Sequence, residues 1–436
     1  MPVRFSMLSK NFTKEFEKFL NIKRASQVNI ESVVNNILND IRVRGNAALF
    51  EYTSQFDKHE LTSSNVRISS QEMDRSLVEC KQEQLDALRI AKKRIRDFHK
   101  KQLPSNIDYQ DDEGVKLGLK WHPINAVGIY IPGGLASYPS SVLMNSIPAK
   151  VAGVQRLVMV VPAPEGVLNP LVLAAARISG IDEIYKVGGA QAIGALAYGC
   201  NSIKPVDKIV GPGNSYVTMA KKQVFGVVGI DLIAGPSEIL IVADNKNNPH
   251  WIAADLLAQA EHDVNAQAIL MTDDKRFADQ VCEIIEISLK SLSRKKIASK
   301  SWDDFGAVVI LENMFQATEL INRIAPEHLE LAIENPNFIA ASVLNAGAVF
   351  LGRCTPEALG DYIGGPNHVL PTGRTARFSS GLGVLDFMKR TTLMDVSAQS
   401  IQAIGPAAIT LAEAEGLDAH AHSIRLRLSG MNSDRI

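Results

Sequence analysis

Residues 126–164 read AVGIYIPGGLASYPSSVLMNSIPAKVAGVQRLVMVVPAP, and this stretch decides the fold. AVGIYIP (126–132) is a short apolar run that stops at a proline-glycine turn. SVLMNSIPAKVAG has a helical pattern, and RLVMVVPAP (156–164) is a second apolar run closed by prolines. Strand, helix, strand without an intervening tight hairpin predicts two parallel strands joined by a crossover helix. Working outward, EIYKVGG (183–189) and DKIVGPG (207–213) repeat the strand signal, with PLVLAAARISG and AQAIGALAYG as the helices between.

A second series follows a break near Gly235-Pro236. EILIVAD (238–244), QAILMTD (267–273), AVVILEN (307–313) and GAVFLG (347–352) read as strands. HWIAADLLAQAEHD, KRFADQVCEIIEISLKSL and ATELINRIAPEHLEL read as helices. The expected fold class is therefore α/β, with two Rossmann-like parallel-sheet units covered on both faces. Residues 11 to about 100 read as a largely helical N-terminal region, with Val33, Val34, Ile37, Leu38 and Ile41 at helical spacing. After Gly381 the alternation ends. Residues 405–427 read as a helical tail that starts at Pro406 and is divided by Gly416.

The usual dinucleotide fingerprint, G-x-G-x-x-G after the first strand, is missing. Gly381-Leu382-Gly383 is followed by Asp386 where a small residue is needed, and there is no phosphate-loop motif. Glycine turns do close strands at Ile131-Pro132-Gly133-Gly134, Gly188-Gly189-Ala190-Gln191 and Gly211-Pro212-Gly213-Asn214. Ligands of open parallel sheets bind beyond the carboxyl ends of strands. Such turns could build a cofactor cleft or be tight turns and nothing more.

The chain has 436 residues, 46% hydrophobic and 21% charged, enough for two or three domains. Its 46 basic residues balance 47 acidic ones, which argues against a polyanionic partner such as nucleic acid. The basic run Lys92, Lys93, Arg94, Arg96 reads as a solvated helix face. Cys80, Cys200, Cys282 and Cys354 form no C-x-x-C pair, so neither a disulfide framework nor a cysteine zinc site is expected. No secretory signal or membrane-length apolar run appears, and a cytoplasmic protein is expected.

Among nine histidines, His262, His328, His368 and His420 stand in polar motifs. Gln259 and His262 in LLAQAEHD are spaced i, i+3 on the predicted helix, the way helices offer metal ligands. Asp361 and His368 share the loop ALGDYIGGPNHVLPTG, and His420 lies in EGLDAHAHS on the tail. Gln259, His262, Asp361 and His420 make a nitrogen-and-oxygen set suited to zinc. A histidine on a helix is more often a surface or hydrogen-bonded residue, so spacing alone leaves both readings open. Glu327 and His328 follow Ala325-Pro326 at the expected end of a helix. His328 suits a general base near neutral pH and Glu327 a water activator; an exposed charged pair at a helix end has the same pattern.

Together, IPGGLASYPSSVLMNSIPAKVAG, KVGGAQAIGALAYG, DKIVGPGN, AGPSEILIVAD, AQAEHD, APEHLEL, GDYIGGPNHVLPT and EGLDAHAHSIRLR resemble the histidinol dehydrogenase family, in family order over about residues 120–428. The resemblance implies oxidation of L-histidinol to L-histidine through bound histidinaldehyde, with two NAD and a water. It implies one Zn2+ per subunit on Gln259, His262, Asp361 and His420, and Glu327 and His328 as the catalytic acid–base pair. Ser237, His368 and Glu415 look like substrate contacts, joined by Gln259, His262, His328, Asp361 and His420. Tyr130, Gln191 and Asn214 look like NAD contacts. Residues 25–129 with 237–380 are expected as the larger domain carrying zinc and catalysis, and 130–236 as the NAD-contacting domain. Residues 1–24 and 381–436 are expected as arm and tail of a two-fold homodimer, with His420 entering the partner's site. Two rivals are a thiol-dependent aldehyde dehydrogenase using Cys354 as nucleophile, and a non-catalytic homologue that binds NAD or a partner.

Overall fold

The computed structural model describes residues 2–22, 30–133 and 138–433, with the side chains of 431–433 left aside. Gly134 of the first glycine turn and the expected boundary at residues 24 and 25 lie outside the described residues. The chain divides into two units, Met1–Gln102 with Asn125–Phe387, and Leu103–Ile124 with Met388–Ile436.

The expected alternation is borne out in the first unit. Ala126–Tyr130, Arg156–Val160, Glu183–Tyr185 and Lys208–Val210 are parallel strands, joined by a short fifth, Gly229–Ile230. Their order across the sheet is third, second, first, fourth, fifth in chain sequence. The second series forms a six-stranded parallel sheet. Ala307–Ile310, Gln267–Thr272, Glu238–Ala243, His328–Ala332 and Ala348–Leu351 lie in that spatial order, which is again third, second, first, fourth, fifth. Val3–Ser6 pairs outside Ala307–Ile310 as the edge strand. The central strands Glu238–Ala243 and Gln267–Thr272 are buried at every residue, as helices on both faces require. One face packs Phe5, Phe12, Phe16 and Phe19 of the N-terminal segment, expected as part of a dimerisation arm, against Leu240 and Ile269. Trp302, Phe277 and Leu256 fill the other.

Local chemistry starts the helices. Asn169 and Asn248 each accept from a backbone N–H two residues on, and each precedes a proline at the first helical position, in Pro170–Ser179 and Pro249–Ala260. The helical N-terminal region comprises Phe12–Asn21, Ile30–Arg44, Asn46–Asp57, Ser70–Glu79 and Gln82–His99.

Two expectations are corrected. The helix read through residue 331 stops at Ile324, because Ala325 turns left-handed (φ 50°) and Pro326 cannot continue the ladder. His328–Ala332 is instead a wholly buried strand between Glu238–Ala243 and Ala348–Leu351. In the tail, Pro406 lies inside the helix Ala398–Ala414, whose start is capped by Ser397 accepting from Ser400 N–H. Gly416, at φ 73°, does divide the tail, and Asp418–Ser433 follows. The second unit also holds an antiparallel sheet of Ile107–Gln110, Lys116–Pro123 and Met388–Asp395.

Candidate active site

At the amino ends of the six-stranded sheet lie the buried side chains Glu238, Glu327 and His328. His328 opens its strand opposite Ile239 and Ala348. Its side chain and that of Glu327 are both buried. Their anchor is the backbone of Glu238. The Glu238 N–H donates to Glu327 Oε2 at 2.8 Å, and the Glu238 carbonyl faces His328 Nδ1 at 3.1 Å. A carbonyl only accepts, so Nδ1 carries the proton and Nε2 keeps its lone pair. Burial, above all, pulls His328 down to about 4, so the imidazole is neutral near pH 7.

Nε2 points at two carboxyls. Glu357 Oε1 lies 3.5 Å away and Asp361 Oδ1 4.0 Å. Both come from the short helix Glu357–Tyr362, where i, i+4 spacing puts them on one side. Burial pushes Glu357 up to about 10, with Asp361 and Glu330 adding repulsion, so its carboxyl holds a proton at neutral pH. Behind it, Glu330 accepts from the Glu357 N–H at 2.6 Å and is pushed to about 8 by burial and then by Asp255. His368 Nδ1 lies 2.9 Å from the Asp361 carbonyl and 3.6 Å from Asp361 Oδ1. Burial holds His368 below the usual imidazole value. The positive form of His262 opposes protonation of both His328 and His368, so all three rings share one neighbourhood.

His262 is exposed just past the helix Pro249–Ala260, in a turn closed by its N–H on the Gln259 carbonyl (3.2 Å). Gln259 is buried, and its Oε1 has no hydrogen-bond partner; the same is true of His328 Nε2 and Glu357 Oε1. Buried orphan acceptors cost free energy unless something fills them. Ligand atoms of His328, Glu357 and Asp361 lie within 4.8 Å of one another. Imidazole rings, carboxylates and an unclaimed amide oxygen fit a divalent metal. Ser237 is half-buried one residue before Glu238. Glu415 and His420 belong to the second unit, at the end of Ala398–Ala414 and within Asp418–Ser433, and both are exposed. Cys354 is exposed on the turn before Glu357. Sequence reading missed Glu357, although its i, i+4 relation to Asp361 was there to be found.

The expected cofactor residues lie at the carboxyl ends of the five-stranded sheet. Tyr130 ends the first strand, and its hydroxyl accepts from Gly189 N–H at 3.1 Å. Gln191, one turn into Gly189–Tyr198, is buried with Oε1 unpartnered. Asn214 caps Ser215–Val224, accepting from Tyr216 and Val217 N–H. Between them Gly211 sits at φ 110°, and a Cβ there would lie 2.1 Å from the Tyr130 carbonyl oxygen, so only glycine fits. Its backbone is held on both sides. Lys221 Nζ donates to the Gly211 carbonyl at 2.9 Å, Gly211 N–H donates to Asp231 at 2.8 Å, and the two side chains form a buried ion pair. Helix N-termini surrounding this edge suit a phosphate-bearing ligand. Ser141, in the first turn of Pro139–Ala152, lies 3.4 Å from His368 Nε2, which links this edge to the buried cluster.

The family model described as histidinol dehydrogenase matches residues 20–428. A histidinol dehydrogenase of Rhodospirillum rubrum is 57% identical over 430 residues, covering 98% of this chain and 99% of the relative. One of Rhizobium meliloti is 55% identical, with 98% and 99% covered. The crystal structure of histidinol dehydrogenase from Elizabethkingia anophelis superposes with a TM-score of 0.94 at 38% identity, covering 99% of each chain.

Proposed function

The chain belongs to the histidinol dehydrogenase family and is an oxidoreductase of histidine biosynthesis; from that premise we propose how its own residues carry the reaction, L-histidinol to L-histidine with two NAD and one water. The observation that supports this reading best is the buried His328, neutral and with Nε2 unclaimed beside Asp361 and Glu357. In the first oxidation Nε2 takes the hydroxyl proton of histidinol while the carbon-bound hydride passes to NAD. Glu327, fixed by the Glu238 N–H, draws a proton from the water that adds to the aldehyde. Once Nε2 has released that first proton to solvent, it deprotonates the hydrate as the second hydride passes to the second NAD. His368 and Ser237 orient the substrate, with Glu415 as a further contact.

Family membership implies NAD and a metal ion. We take the metal to be zinc on Gln259, His262 and Asp361, with His420 of the partner subunit completing the set. Zinc supplies a template that holds the substrate's nitrogen atoms. Tyr130, Gln191 and Asn214 contact NAD. A two-fold dimer fits the tail, where Leu411, Leu417 and Leu426 remain exposed in the single chain. No described helix is long and apolar enough to cross a membrane, and a cytoplasmic setting is proposed.

The experiment is a turnover assay with histidinol and NAD, read at the NADH absorbance. Two NADH per histidine formed are expected. Chelation should abolish turnover and zinc should restore it. One NADH per substrate, or full turnover in protein shown metal-free by elemental analysis, overturns the reading.

A further inference from the structure

The order of the five-stranded sheet is that of the dinucleotide-binding sheet. There an acid at the carboxyl end of the second strand accepts from the hydroxyls of the adenosine ribose. In this chain the second strand is Arg156–Val160, and its exit reads Val161-Pro162-Ala163-Pro164, with no side-chain acceptor. The next acid, Glu165, is exposed.

An acid reaches that exit from another element. The helix Asn46–Asp57 ends there with Asp57, and Lys58 turns left-handed at φ 53°. His59 then folds back so closely that a Cβ on Gly166 would lie 2.9 Å from its ring. The segment is tied to the sheet further along. Ile68 N–H donates to the Ile184 carbonyl and Lys186 N–H to the Val66 carbonyl, both at 2.9 Å. Leu61 and Val66 share a core with Tyr130 and Tyr185. The Ala163 N–H faces the Asp57 carboxylate, and Asp57 in turn acts electrostatically on Tyr130.

Asp57 is half-buried, and its Oδ2 is shielded from solvent without a hydrogen-bond partner, as is His59 Nε2. Burial pushes its carboxyl up from the ordinary value. A desolvated acid with a spare acceptor beside a cofactor edge calls for O–H donors, and a ribose diol supplies them.

We propose that Asp57 accepts from the adenosine ribose hydroxyls of NAD and makes the enzyme select NAD over NADP. Its charge repels a 2′-phosphate, which also fills the place of the donated hydroxyl. The proposal rests on the reading that this edge binds the cofactor.

Steady-state kinetics of the zinc-loaded enzyme with NAD and NADP test it, in wild type, Asp57→Asn, Asp57→Ser and Asn214→Ala, each checked for an unaltered melting profile. Loss of a hydrogen bond to a charged group should raise the KM for NAD about 10- to 100-fold in both Asp57 variants. The preference for NAD over NADP in kcat/KM should fall by at least that factor. The kcat at saturating NAD and the KM for histidinol should stay within about twofold, as for loss of uniform binding. Should Asn214→Ala raise the KM for NAD while both Asp57 variants keep the wild-type preference, the ribose assignment is wrong and the cofactor edge survives. Should neither position affect NAD at all, both readings fall.

Discussion

The two parallel sheets share one strand order, apart from the extra edge strand of the larger, and carry their candidate functional residues at opposite ends. In the five-stranded sheet Tyr130, Gly189, Gly211 and Asn214 gather at the carboxyl ends of strands. In the six-stranded sheet Glu238, Glu327 and His328 gather at the amino ends. Helices of a crossover unit run against the strands, so the carboxyl edge collects helix N-termini and the amino edge collects helix C-termini. The first is electropositive and suits the phosphates of a dinucleotide; the second is electronegative and suits a cation. Gln259 lies in the last turn of Pro249–Ala260 and His262 just past it, at the electronegative end of that helix. The parallel crossover thus sets the polarity of each edge, and the side chains placed there decide what each edge can bind.

The largest effect is expected at the amino edge of the six-stranded sheet. His328→Ala should lower the rate of both half-reactions about 1,000-fold, since one base serves twice. Glu327→Gln should slow oxidation of histidinaldehyde by about 100-fold or more, and oxidation of the alcohol much less. Rapid-quench kinetics on alcohol and aldehyde separately check this. Equal losses in Glu327→Gln would remove its assignment to the water.

A smaller effect sharpens how the amino edge is completed. The proposed ligands Gln259, His262 and Asp361 belong to the first unit, and His420 to the second. If His420 serves the partner, then His262→Asn and His420→Asn are each inactive, but mixed dimers hold one intact site of two. Random reassembly makes about half the dimers mixed, so about one quarter of wild-type activity should return, by symmetry. No recovery, with subunit exchange proven by mass spectrometry, would falsify the shared site.

The two edges were not equally legible in the sequence. Parallel strands buried on both faces appear as unbroken apolar runs, so AVGIY, RLVMV, EILIVA and QAILMT stood out. HLELA did not, because it continues the spacing of ATELINRI, and only Ala325, left-handed, and Pro326 separate the helix from the strand. The helical reading puts Glu327 and His328 at a helix end, where an exposed charged pair fits as well as an acid–base pair; the structure buries both at the start of a strand. The strands at 107–110, 116–123 and 388–395 are mostly exposed or half-buried, so they carry little hydrophobic signal. Glu357 and Asp57 escaped for another reason. For Asp57 the signal is burial beside residues distant in sequence, which no local pattern records; for Glu357 only the i, i+4 spacing to Asp361 is local, and its burial against Glu330 and His328 is not.

The smallest effect expected is a pH dependence of stability that belongs to the amino edge alone. In chelated protein, burial pushes Glu330 to about 8, with Asp255 adding repulsion, and pushes Glu357 to about 10, with Asp361 adding most of the repulsion there. In the unfolded chain both ionise near the ordinary value of 4.5. A group raised in this way gives stability that is fully present below the unfolded value and lost as pH rises through the folded one. His328 has the opposite sense. Held near 4 when folded, it costs stability only as pH falls below its ordinary 6.5, so it is silent above that. At the carboxyl edge Tyr130, pushed to about 12, stays protonated throughout. From pH 6.5 to 9 the amino edge therefore sets the slope, at about 1.4 kcal/mol per pH unit for each carboxyl still protonated in the folded state. The melting temperature of the chelated protein should fall steadily over that range. Glu357→Gln, which cannot ionise, should flatten the fall by about half where both acids contribute. An unchanged slope in Glu357→Gln would mean that Glu357 is already ionised in the folded protein, and the buried proton beside His328 would have to be given up.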